Sequence, residues 1–228
     1  MRKLFTILLA VLLALPAYAV PVPILMYHHF TEAGTDMPMT TSAAELRAHL
    51  TALRDAGYTA VTFADLLTYT ETGEGLPEKP VLLTSDDGYS SVLDIALPIL
   101  REFGMTMSVA VVGSRMGQED GIPHFSMEEG LASGLELVSH TWALHGSEGN
   151  GVLRSDGTLS PDFVSDARRM REMDGLNQAV FVYPYGRHSR DSEAVLAAMG
   201  YRITVTTEEG IADVQKGGSL HGLPRIQP

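Results

Sequence analysis

Four polar groups in this sequence could do chemistry, and each follows a short apolar run. Asp86-Asp87-Gly88 comes after residues 81–84 (VLLT). Neighbouring residues of a strand point to opposite sides, so one carboxylate could hold a cation while the other faces a water as base. The same three residues are equally at home in a solvated turn. His140 follows 135–139 (LELVS), with His145 five residues on. Two neutral imidazoles and one carboxylate make a three-ligand metal site that keeps positions open. On a regular helix that spacing would turn the second ring by roughly 140° from the first, so shared ligation requires a loop or a distorted turn. Two surface histidines are the alternative. Tyr183-Pro184-Tyr185-Gly186 closes 179–183 (AVFVY). The N–H after the proline is suited to an oxyanion, although a plain turn with an aromatic rim reads the same way. His28 and His29 follow 23–27 (PILMY), where an imidazole serves either as a general acid or as a rim residue.

The elements that must position these groups alternate between strand-like and helix-like. Ser42-Ala43-Ala44-Glu45 is a capping box, and Leu46, Leu50 and Leu53 follow at helical spacing up to Gly57. Strands are expected at 59–63, 81–84, 107–112, 135–139, 179–183 and 202–206, and helices at 64–69, around Pro98 to Gly104, at 161–173 and at 192–199. Apolar strands alternating with helices predict an α/β fold with a parallel sheet. About seven strands favour a distorted or incomplete (β/α) barrel. Ligand sites in such folds lie at the carboxyl ends of the strands, where the four groups fall.

Arg2 and Lys3, the apolar stretch 4–15 and Ala17-Tyr18-Ala19 read as a secretory signal peptide over 1–19. One domain is expected over 20–228, in the periplasm or secreted, with no membrane span once the leader is cut. The apolar run is shorter than the roughly 20 residues of a bilayer span. With 28 acidic against 16 basic residues the chain has a formal charge of −12, and no basic block stands out. Nucleic acid and anionic membrane surfaces are therefore poor partners. There is no cysteine, so disulfides and thiolate metal sites are excluded.

Taken together and in this order, the motifs resemble those of the polysaccharide deacetylase (NodB-homology) family, carbohydrate esterase family four. Thr84-Ser85-Asp86-Asp87-Gly88 looks like the first motif, usually Thr-Phe-Asp-Asp-Gly; Ser139-His140-Thr141 with His145 looks like the paired-histidine motif; Tyr183-Pro184-Tyr185-Gly186 looks like the third. Several details depart from the majority. The histidine spacing is five rather than four, Val182 stands where an arginine is usual, and a Leu-x-His-like strand end has moved to the front as Leu25-Met26-Tyr27-His28. This arrangement, with Leu223-Pro224-Arg225-Ile226 at the end, is similar to the exported poly-β-1,6-N-acetylglucosamine deacetylases of biofilm systems.

The resemblance implies hydrolytic N-deacetylation of an N-acetylglucosamine polymer with release of acetate. It implies Asp87, His140 and His145 as metal ligands, Asp86 as base, the Tyr185 N–H as oxyanion donor and His28 as acid, with His221 in reserve. The expected ion is zinc; nickel, cobalt and iron suit the same donors. The missing arginine at Val182 leaves Asp86 in need of another partner. The expected ligand is an N-acetylated glycan, and the protein is expected to act as a monomer. The rival readings are a deacetylase of peptidoglycan or chitin oligomers and a non-catalytic glycan-binding protein on the same fold.

Overall fold

The computed structural model describes residues 19–119, 121–146 and 151–228. The expected leader lies outside the described residues apart from Ala19. The central sheet has eight strands, of which Thr59–Val61 pairs only beside Pro80–Ser85 and seven make the barrel wall: β1 Ile24–Tyr27, β2 Pro80–Ser85, β3 Ser108–Val111, β4 Glu136–Ser139, β5 Asn177–Val182, β6 Ile203–Glu209 and β7 Leu220–Arg225. They pair in sequence order and all run parallel. The two edges also meet. Met26 N–H donates to the Ile226 carbonyl at 2.9 Å, and Ile226 N–H donates to the Ile24 carbonyl at 2.8 Å. The sheet is thus a nearly closed seven-stranded (β/α) barrel, as the strand count predicts.

Alternation along the strands sorts the core into layers. Ile24, Leu82, Ala110, Val138, Val180, Val182, Ile203 and Val205 form one buried cluster. Their neighbours Leu25, Leu83, Val109 and Leu137 belong to another, under α1 (Ala43–Asp55), α3 (Leu97–Phe103) and α4 (Met127–Ser133). Phe181 and Tyr183 pack outward beneath α5 (Phe163–Arg171) and α6 (Arg190–Ala198). Phe63 and Leu66 of α2 (Phe63–Thr72) join the first cluster. The Glu136 carboxylate at the start of β4 accepts from Phe63 N–H and Ala64 N–H at 2.9 and 3.0 Å, and from Ser108 and Asn177. It caps α2 and closes the amino end of the barrel.

The expected capping box is present: Ser42 and Glu45 exchange hydrogen bonds at the start of α1. Thr62 and Asp65 form another and end the preceding strand at Val61, short of the expected 63. Among the elements without an expected counterpart are α4 and β7. The seven residues of α4, with Gly130 inside them, are too few to show an apolar period. Strand β7 lies beyond the last strand expected, 202–206, and holds Gly222 and Pro224. Its ladder to β6 pairs Leu220, Leu223 and Arg225, so the proline without an N–H falls between paired positions.

Candidate active site

The carboxyl ends of the strands surround a cavity of about 400 Å³ whose lining includes His28, Asp86, Asp87, His140, His145 and Tyr185. All six residues singled out from the sequence therefore share one mouth. Strand β2 ends at Ser85, so strand alternation does not separate the two carboxylates. Asp87 takes a left-handed backbone, φ 76°, and this turn sends the carboxylates apart.

Asp87, His140 and His145 each offer a ligand atom, and the three atoms lie within 4.8 Å of one another. Asp87 Oδ1 is 3.0 Å from His145 Nε2 and 3.6 Å from Arg115 Nη1. Among the described residues, Oδ1 is buried without a well-aligned hydrogen-bond donor. Burial opposes ionisation of Asp87, but His145, His140 and His28 hold it well below the usual carboxylate range. Burial pulls His140 down to about 4, against the opposing pull of Asp86, so the ring is neutral and able to ligate. His140 Nδ1–H donates to the Val182 carbonyl at 2.8 Å, which leaves Nε2 able to ligate an ion. A compact, unsatisfied set of one carboxylate and two imidazoles fits a divalent cation. The five-residue spacing works because Thr141 is left-handed, φ 73°, and the chain doubles back as a loop.

Asp86 is almost fully buried, and Arg225 of β7, itself 2% exposed, grips it through two bonds of 2.8 Å. Burial alone would raise Asp86, but the Arg225 guanidinium brings it down to about 2. The partner missing at Val182 is thus supplied by the closing strand, across the barrel seam. Arg225 Nε also donates to the Thr206 carbonyl, which fixes the fork. His28 Nε2 lies 3.9 Å from Asp86 Oδ2. Ser85, where the family usually has phenylalanine, donates its hydroxyl to the His28 carbonyl at 2.8 Å and ties the β1 tip to the β2 tip. His221 pairs with Glu193 at 3.0 Å and lines a separate pocket with His188 and Arg190.

Tyr185 is left-handed, φ 55°, and its ring is half exposed at the mouth beside His145. Gly186, φ 65°, must be glycine, because a Cβ there would collide with Thr207. Met37, Pro38 and Met39 form an apolar stretch of the rim.

Residues 73–204 match the family model for polysaccharide deacetylase. The chain belongs to the polysaccharide deacetylase family. It is similar to YxkH of Bacillus subtilis, 27% identical over 90% of this chain and 70% of that one. It is also similar to the poly-β-1,6-N-acetyl-D-glucosamine N-deacetylase of Escherichia coli, 30% identical over 86% of this chain. The match spans about a third of that larger protein (34%). The solved structure of IcaB from Ammonifex degensii superposes with a TM-score of 0.74 at 25% identity, covering 91% of this chain and 92% of the other. Membership makes the chain a deacetylase acting on acetylated polysaccharide.

Sequence reasoning missed Arg225 as the partner of Asp86. The available signal was an arginine inside the otherwise apolar Leu223-Pro224-Arg225-Ile226, since arginine is almost never fully buried unless paired. It also missed Arg115, which donates to the His145 carbonyl at 3.2 Å, and Tyr89, which lines the cavity. Neither stands out by spacing.

Proposed function

We propose that this protein is an exported, metal-dependent N-deacetylase of poly-β-1,6-N-acetylglucosamine. The observation that carries the reading is the convergence of Asp87, His140 and His145 within 4.8 Å, beside a buried carboxylate and an imidazole that neither form part of that set nor face away from it. The named relatives support the choice of polymer, and the basic, apolar, small-residue order of the first 19 residues supports export.

Asp87, His140 and His145 would hold a divalent ion, with zinc preferred. The chemistry that such an ion supplies is polarisation of the acetamide carbonyl and acidification of a water. Asp86 accepts the proton of the attacking water. Because Arg225 keeps its carboxyl at about 2, it is in acceptor form throughout the neutral range. The Tyr185 N–H donates to the developing oxyanion, a contact worth about 3 kcal/mol. His28 protonates the departing nitrogen, without which an amide leaves poorly. Acetate and a free glucosamine amine result.

The test is acetate release from β-1,6- and β-1,4-linked N-acetylglucosamine oligomers, before and after chelation and zinc repletion. Release from the β-1,6 series, lost with chelator and restored by zinc, is the expected result. Equal activity after exhaustive chelation would overturn the metal role, and preference for the β-1,4 series would move the substrate to chitin-like or peptidoglycan chains.

A further inference from the structure

The loop between His140 and His145 is held from two sides by groups with no part in the reaction above. On one side, Gly113 N–H and Ser114 N–H donate to the carbonyls of Thr141 and Trp142 at 3.0 and 2.8 Å. On the other, Asp166 of α5 reaches under the loop. Its two oxygens accept from Trp142 N–H and Ala143 N–H, each at 2.8 Å. Two successive amides converging on one carboxylate form a backbone nest, and the left-handed Thr141 just before them sets it up. Asp166 is 8% exposed, so water competes little for these bonds. Arg169, one turn further along α5, stacks over the Trp142 ring at 3.6 Å and clamps the same segment from outside.

From this geometry we infer that Asp166 is a positioning residue for the metal centre: it folds the Thr141–Leu144 turn so that His145 returns to Asp87 and His140. The inference rests on the reading of His145 as a ligand. It explains how two imidazoles five residues apart reach one ion. Without an anion under residues 142 and 143 the two amides would lose the partner that holds them together, and the turn would relax. Asp166 touches neither ligand side chain, so its effect falls on where His145 stands and not on the donor set.

The experiment compares purified wild type, Asp166→Asn and Asp87→Ala. Asparagine keeps the shape but turns one acceptor into a donor facing an N–H. Zinc affinity is read by competition with a chromophoric chelator, ligand geometry by the visible spectrum of the cobalt-substituted protein, and folding by far-UV circular dichroism. The expected result for Asp166→Asn is a native fold, zinc binding weakened about 10–100-fold, as for other supports of metal ligands, and an altered cobalt spectrum. Turnover should recover at saturating zinc. Should the asparagine variant not fold, Asp166→Ser keeps an oxygen on α5 that is too short to span both amides. A folded variant of either kind with wild-type zinc affinity and cobalt spectrum would overturn the inference. Asp87→Ala separates the two failures: if it binds zinc as the wild type does, the metal site itself is misplaced.

Discussion

Asp86 and Arg225 decide how the proposed base behaves. The pair is buried on both sides and bidentate, so removing the cation leaves an uncompensated carboxylate. Arg225→Met should cost about 3–5 kcal/mol in urea denaturation. It should also move the acid limb of kcat/KM to higher pH, because burial then raises Asp86 against only the pull of His140 and His28. In the wild type the sign is the other way. The folded carboxyl, at about 2, lies below its unfolded value. Its contribution to stability is therefore full above the ordinary carboxylate range and is lost as pH falls toward 2. His28 gives a contrasting residue-scale prediction. His28→Ala should keep stoichiometric zinc by elemental analysis while acetate release drops about 10²–10⁴-fold; loss of zinc in parallel would reassign His28 to the ligand set.

At the scale of elements, strand tips were legible in the sequence and loop returns were not. Residues such as His140 and Asp86 follow apolar runs that announce a buried strand, so their place at the carboxyl ends could be read directly. Asp166 sits on an ordinary polar helix, and nothing in its spacing ties it to residues 142 and 143, because the contact is made through backbone amides that carry no sequence signature. The same holds for Glu136, which caps α2 from the strand opposite. Glu136→Ala should leave the amino end of α2 without its anion and cost about 1–3 kcal/mol, with zinc content and kcat per folded molecule unchanged, since Glu136 and the strand tips lie at opposite ends of β4. A fall in kcat without a fall in stability would show that the two ends of the barrel are coupled.

Over the whole molecule, the alternation of strand and helix predicts the barrel and its approximate strand count. The closing strand is the part that resisted reading: Gly222 and Pro224 look like punctuation, and only tertiary pairing makes 220–225 a strand. That strand meets β1 at a narrow seam, with two hydrogen bonds between Ile226 and residues 24 and 26. This edge is held by a single bridge, Leu25 with Ile226, whereas each ladder inside the sheet pairs at least two positions, so in rising urea acetate release should disappear before the far-UV helical signal does; coincident loss of both would show the seam to be as firm as the rest. The seam also has a consequence for timing. His28 lies near the beginning of the chain and Arg225 near residue 228, yet both face Asp86. On the proposed reading, a chain whose last strand has not yet docked would hold the donors at 87, 140 and 145 but nothing to anchor its base. Such a chain would chelate before it could catalyse, and hydrolysis would wait for residue 225.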